Sequence, residues 1–496
     1  MLNAPNPDSQ PPAPAVWRTG RALFLAQALS GGLGVLAWFL AARTHPAAAV
    51  GTALALVGAL TWAGLIGNLG LGSLLVGLIP KARRAERATL AGTAAATSTV
   101  VGALIGLGVA AVLRLVGGGL ADAASHPAVV LALVVGGAGW SAGVVLDHVA
   151  VACARPGLTV VRAGIGGVAR LLVLGGTLVF GGRTGTGLVV GWAVAIALGT
   201  AIEAALLWSH HHLAFRSRIA AATWAPLARR GITTHYGVNV LGQTPPMALP
   251  VVLAVAGRPV QAAAFGAAWQ IASTVGLLSP AVATGLFAAG TADPHAASDA
   301  ASTRRRLLGV VIPAAIVLIA LAPDLLALIG PEYVATGTTA LRILALGLVA
   351  DAITNIEVAR LRIGERYRSA MAINATILVA ALGAAGLLVA PWGATGAASG
   401  WLLGEFLGAA VALLSLRLAA SRSTNHADLA RLHLASSGPG ERSGPAHAPP
   451  RRRPAGHGAR GGGAARHRRR PAPVPDARVR PAPPFGRPGP GDDFAA

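Results

Sequence analysis

The run PAVVLALVVGGAGWSAGVVLDHVAVACARPGLTVVRAGIGGVARLLVLGGTLVF, residues Pro127–Phe180, decides the fold. Two apolar stretches, Pro127–Ala152 and Thr159–Phe180, flank a short turn that carries Arg155 and Pro156. Each is long enough to cross a hydrocarbon core, which takes roughly 20 helical residues. In oil a helix is the form in which such a segment satisfies its own backbone. The turn between them gathers positive charge, as a cytoplasmic connection does.

Working outward, the same pattern recurs at Arg21–Ala42, Ala47–Leu69, Ala88–Leu113 and Gly187–His210. A polar segment with four arginines follows, His211–His235, and then six more stretches: Tyr236–Ala256, Pro259–Gly290, Leu307–Ile329, Thr339–Leu361, Ser369–Ala390 and Ala394–Leu416. The expected fold is therefore an all-α integral membrane protein of about twelve transmembrane helices. Composition agrees, because 54% hydrophobic and 12% charged residues leave too little polar material to coat a soluble globule of 496 residues.

Arginine placement tests that count independently. With the N-terminus inside, the cytoplasmic flanks hold twenty basic residues, from Arg18 and Arg21 through Lys81, Arg83, Arg155 and Arg304–Arg306 to Arg417 and Arg422. The outer flanks hold five: Arg43, Arg114, Arg183, Arg258 and Arg342. A missed or invented span would invert every later loop, so an even number of crossings with both termini cytoplasmic is expected. The expected location is the cytoplasmic membrane, and the first helix is expected to remain there, since residues 1–17 lack the order of a cleaved signal peptide.

The organisation expected is a disordered N-terminus (1–17), an N-terminal lobe (18–212), a cytoplasmic linker (213–235), a C-terminal lobe (236–418) and a disordered tail (419–496) rich in Arg, Pro and Gly. A net charge of +22 raises nucleic acid as a partner. The charge lies between apolar spans and in the tail, however, so none is expected. Cys153 is alone and forms no intrachain disulfide or cysteine-based metal site. No Walker loop, zinc-protease motif or pair of loop acids is present, and the chain is read as a non-enzyme without metal or cofactor. The tail's arginines suit membrane lipid headgroups or an acidic partner, or are simply solvated.

Ionisable residues at membrane depth are the strongest local clues, because each costs several kcal/mol, about 2.5–3.5 on insertion scales for Arg. Arg170 is deepest, near the middle of the fifth span. Arg162 lies about two turns away on the same helix, and Asp147 and His148 on the preceding span reach a similar depth. Arg170 and Arg162 are candidates to bind an anionic headgroup through bidentate guanidinium hydrogen bonds; a structural Arg162–Asp147 pair is the alternative. Asp147, Glu203, Asp351 and Glu405 are candidates for ion coupling, or for locking helices together. Helix breakers recur at Gly31, Gly32 and Gly34 in the first span and at Pro245, Pro246 and Pro250 in the seventh. Gln27 and Gln243 precede them, and at interrupted helices such amides are candidates to line a substrate cavity. Trp38, Trp192, Trp208 and Trp392 are expected at membrane interfaces.

Several segments resemble one family. Ala154-Arg155-Pro156-Gly157-Leu158, then Val160-Val161-Arg162 and Ala169-Arg170-Leu171-Leu172, resemble the fourth-to-fifth helix region of polysaccharide flippases. Ala264-Phe265-Gly266-Ala267-Ala268-Trp269, Gly330-Pro331-Glu332-Tyr333 and Gly393-Ala394-Thr395-Gly396 resemble that family's second half, in matching order across Arg21–Leu416. The resemblance implies the multidrug, oligosaccharidyl-lipid and polysaccharide exporter superfamily, with two six-helix lobes around a central cavity that opens alternately to each side. It further implies a polyprenyl-diphosphate-linked glycan as cargo, with envelope glycosyltransferases or a polymerase as partners. Two other readings stand beside it: a cation-coupled drug or metabolite antiporter of the same superfamily, and a non-transporting scaffold of an envelope-synthesis complex. A major-facilitator transporter fits less well, because Gly77-Leu78-Ile79-Pro80-Lys81-Ala82-Arg83-Arg84 lacks the aspartate that such a loop usually carries.

Overall fold

The computed structural model describes residues 13–179, 183–211, 236–292 and 300–436, and these are helical throughout apart from short connections. The helices are α1 (Ala13–Thr44), α2 (Ala47–Gly67), α3 (Leu71–Leu78), α4 (Arg84–Val116), α5 (Gly118–Ser125), α6 (Pro127–Ala152), α7 (Gly157–Val179), α8 (Gly185–His211), α9 (Gly237–Val255), α10 (Pro259–Gly276), α11 (Leu278–Ala292), α12 (Ala300–Ala320), α13 (Ala322–Ala327), α14 (Pro331–Ile363) and α15 (Tyr367–Ser436). Helices α1–α8 form one lobe and α9–α15 the other.

Among the described residues, ten helices are long and apolar enough to cross a membrane. One of them, the 51-residue stretch Tyr367–Arg417, is two crossings. It folds back at Gly393, whose φ of +53° leaves the helical region. Helix α12, which overlaps the expected stretch Leu307–Ile329, is not among the ten: Arg304–Arg306 occupy its first turns and shorten its apolar part.

Two expectations need correction. Spans one and seven are not interrupted: α1 runs unbroken past Gly31, Gly32 and Gly34, and α9 continues through its three prolines. Gly lacks a Cβ but costs a helix only about 1 kcal/mol, and neighbouring helices in a membrane absorb proline kinks. The lobe boundaries also shift, since α1 already begins at Ala13 and α15 continues past 418 to Ser436. The linker 213–235 and the tail beyond 436 lie outside the described residues. Trp38 is 7% exposed and stacks on Trp192 with ring centroids 4.7 Å apart, inside the first lobe. Trp208 and Trp392 are exposed.

Helix α2 joins the lobes. It packs against α9 and α10, and at Gly51 the approach is so close that a Cβ would overlap the carbonyl of Pro259. Without lipid-excluding hydrophobicity to drive association, such backbone contact is what holds membrane helices together. Trp62 Nε1 donates to Thr244 Oγ1 at 3.1 Å across the same seam, and Arg43 Nε donates to the Leu328 carbonyl at 3.1 Å.

Among the described residues, the buried apolar side chains fall into three clusters. One buried apolar cluster runs through both lobes, from Trp38, Leu56 and Val189 to Leu253, Phe265 and Tyr333. Two smaller clusters accompany it, one per lobe: Leu71, Leu75, Val149 and Leu207 in the first, Val238, Leu361, Ile373 and Ala412 in the second. The α2–α9 seam joins the lobes along its length, from Gly58 against Met247 through Trp62 and Thr244 to Tyr236, whose hydroxyl donates to the Ile66 carbonyl.

Gly393 is fixed by its neighbours. Gln261 Oε1 accepts the Ala394 N–H at 2.8 Å, Arg258 donates to the Ala390 carbonyl, and a Cβ at Gly393 would collide with the Gln261 amide. Gly393→Ala is expected to combine a left-handed backbone penalty of about 1–2 kcal/mol with loss of the Gln261 contact. A denaturation midpoint in mild detergent equal to wild type would contradict this.

His45, in the turn between α1 and α2, is 6% exposed, and burial holds its imidazole below the ordinary value of about 6.5. The unfolded chain protonates first as pH falls. His45 therefore costs nothing above about pH 6.5 and destabilises the fold progressively below it. His45→Gln is expected to flatten that acid limb of the stability profile.

Candidate functional site

The first lobe encloses a polar axis formed by α6, α7 and α8. Positions 162 and 170 are two turns apart on α7, so both side chains leave the same face, about 12 Å apart along the axis. Arg162 points between α6 and α8. Its Nε donates to Asp147 Oδ1 at 3.0 Å, and its Nη2 donates to Asp147 Oδ2. Glu203 Oε2 lies 3.2 Å from the same Nε, but that N–H is directed to Asp147. Glu203 is fully buried, at 0% side-chain exposure, with its carboxyl against that of Asp147 and no donation from Arg162. Small residues make room: a methyl at Gly143 would stand 3.2 Å from Arg162 Nη1.

Arg170 has a different environment. Its guanidinium carbon lies 4.7 Å from the centroid of Trp192, whose ring stacks on Trp38. Its Nε is buried with no hydrogen-bond partner, and among the described residues no carboxylate pairs with it. Gly34 leaves space on the α1 side, where a methyl would stand 3.4 Å from Nη1. Arg170, Trp38, Trp192, Val173 and Thr177 line a narrow cavity between α1, α7 and α8.

The four polar groups expected to converge here do not all do so. His148 turns away, its Nδ1 bonding the Val144 carbonyl of its own helix at 2.7 Å while its ring packs on Gly72. Glu203 takes that place beside Arg162 and Asp147, a link between the fourth and sixth spans that no local pattern signals. Gln27 and Gln243 are exposed and belong to neither polar cluster.

A second cluster lies in the other lobe. Asn355 Nδ2 donates to Asp351 Oδ1 at 2.9 Å, and the Ser279 hydroxyl stands beside the same carboxylate. Thr354 Oγ1 donates to Glu405 Oε2 at 3.1 Å, with Glu405 only 5% exposed. Asp351 and Glu405 are near neighbours, and among the described residues neither has a basic partner. Glu357, one turn further along α14, is paired with Arg360 and accepts from Ser415. Among the described residues no group of His, Cys, Asp and Glu is arranged to hold a metal.

Two packed helical lobes, each with a buried polar cluster, define a class of membrane protein that solved structures already represent. An inward-facing multidrug resistance MATE family transporter of the MOP superfamily superposes with a TM-score of 0.63 at 16% identity, covering 80% of this chain and 96% of its own. An outward-facing MATE structure gives 0.60 at 14%, covering 83% and 96%. A MOP superfamily transporter from Pyrococcus furiosus Vc1 (DSM3638), described as having a binding pocket of reverse polarity that suggests a different function, gives 0.59 at 14%, covering 82% and 95%. The chain has the fold of these proteins over nearly their whole length. No protein-family model and no curated protein sequence matches it.

Proposed function

We propose that this protein is an alternating-access transporter of the cytoplasmic membrane that carries an anionic, lipid-linked oligosaccharide or related envelope precursor outward. The observation that carries the reading is Arg170: a guanidinium at membrane depth that no carboxylate among the described residues neutralises, with its Nε–H buried and unpartnered. Retaining such a charge in oil is costly, and a diphosphate headgroup would repay it with bidentate, charge-assisted hydrogen bonds. The cavity beside Arg170 is narrow, so α1 and α7 must part as the headgroup enters, while the prenyl chain stays in lipid.

The experiment is a leaflet assay with purified protein in vesicles, using a short-chain polyprenyl-diphosphate sugar placed in one leaflet. Protein-dependent transfer, lost on Arg170→Ala with unchanged insertion, is expected. Equal transfer with and without the protein would remove the assignment.

Asp351 and Glu405 favour a second reading, a cation-coupled antiporter. Two buried carboxylates with hydroxyl and amide neighbours and no arginine suit a proton or small cation. Gradient-driven efflux of a cationic dye, abolished by Asp351→Asn and unaffected by Arg170→Ala, would favour it over the lipid-linked cargo.

A further inference from the structure

Alternating access requires two lobes to part at one end while they stay joined at the other, and the seam that α2 makes with α9 and α10 is not uniform along its length. Over about two turns of α2 the contact is backbone on backbone. A Cβ at Gly51 would overlap the Pro259 carbonyl, and one at Gly58 would stand 2.5 Å from the Met247 carbonyl oxygen. Helices that touch through their backbones have no rotamer to change, so this stretch yields only if whole helices move apart.

Beyond Gly58 the seam is carried by side chains. Trp62 Nε1 donates to Thr244 Oγ1 at 3.1 Å, and the hydroxyl of Tyr236, the residue that leads into α9, donates to the Ile66 carbonyl. A rotation about χ1 releases either bond. Ile66 lies in the last turn of α2, where carbonyls lack a partner along the helix, and the Leu69 N–H reaches the same oxygen at 3.2 Å. That carbonyl therefore stays satisfied when the tyrosine leaves. The opposite end is held a second time: Arg43 Nε donates to the Leu328 carbonyl at 3.1 Å, and Tyr333, 1% exposed, directs its hydroxyl at the Ala42 carbonyl 3.5 Å away.

We propose that Tyr236 is a latch: the lobes pivot on the Gly51–Gly58 stretch and part at the Tyr236 end, where rotation of Tyr236 and then Trp62 off the seam frees α9 from α2. This rests on the alternating-access reading and is independent of the cargo. Tyr236 follows the four-arginine segment His211–His235 in the chain, a connection that arginine placement assigns to the cytoplasm, so the latch closes the cytoplasmic mouth. Loss of the tyrosine hydroxyl removes one hydrogen bond, worth roughly 3- to 10-fold in the ratio of parted to joined lobes.

The test reads how often the seam opens, from the rate at which a buried cysteine is alkylated by a small water-soluble methanethiosulfonate. Full-length protein in mild detergent carries Cys153→Ser and one reporter at a time: Thr244→Cys, at a position 7% exposed behind the latch, or Ala42→Cys, at a position 5% exposed at the other end. Adding Tyr236→Phe, which keeps the ring, is expected to speed labelling of Thr244→Cys by roughly 3- to 10-fold and to leave that of Ala42→Cys unchanged. Should Thr244→Cys fail to insert, Val240→Cys replaces it, since positions 236, 240 and 244 follow one another at single turns on one face of α9. An unchanged rate behind the latch, or an equal rise at Ala42→Cys, overturns the proposal. A rise confined to the Tyr236 end, in a protein that moves no lipid-linked substrate in the leaflet assay, leaves the latch standing and removes the cargo reading.

Discussion

Arg170→Ala is expected to reduce transport of a diphosphate-linked substrate by roughly 30-fold or more while leaving the protein folded and inserted. Truncating one partner of a buried, hydrogen-bonded charge pair costs about 2–5 kcal/mol, and 1.4 kcal/mol is a factor of ten. The fold should survive, because Arg170 has no carboxylate to strand: its contacts are Trp192 and the cavity wall. Arg170→Lys should fall between the two, since lysine keeps the charge but loses the bidentate geometry and the flat face that stacks on the indole. Initial flipping rates against protein inserted per vesicle measure the effect. A rate within twofold of wild type for Arg170→Ala would mean that the free guanidinium serves packing alone.

Arg162→Met should behave in the opposite way, damaging stability before function is measured. Removing the guanidinium leaves Asp147 and Glu203 facing each other without their shared cation, and breaking a buried ion pair by deleting one partner costs about 3–5 kcal/mol. Denaturation in mild detergent should show the largest loss of any single substitution in this lobe. The triple variant Arg162→Met, Asp147→Asn, Glu203→Gln should recover most of it, because the penalty lies in the stranded charges and not in lost packing. If the single and triple variants melt alike, the interaction is not electrostatic.

The sequence and the structure contributed different parts of this account. Span positions were legible because a helix must cover a fixed thickness of oil, and the arginine alternation fixed their number: even α12, shortened by Arg304–Arg306, falls where Leu307–Ile329 was expected. The pairing of Arg162 with Asp147 was within reach, since a tight turn joins their helices and sets them at one depth. The prolines of α9 and the glycines of α1 misled, because a residue's average tendency to break a helix says little once neighbouring helices enclose it. The stacking of Trp38 on Trp192 was out of reach, because 154 positions separate them in the chain and only tertiary packing sets one on the other.

What the chain determined alone is the one-dimensional pattern: where oil-compatible helices begin and end, and which connections carry positive charge. These follow from transfer energies that each segment meets individually. Tertiary structure decided which charges share a partner. It placed Glu203 beside an arginine already engaged by Asp147, left Arg170 without a carboxylate, and set Asp351 near Glu405 with no base between them. Such assignments depend on helix rotation about its own axis and on which helices meet, and both are set by backbone contacts as close as Gly51 against Pro259, which no local stretch of sequence encodes.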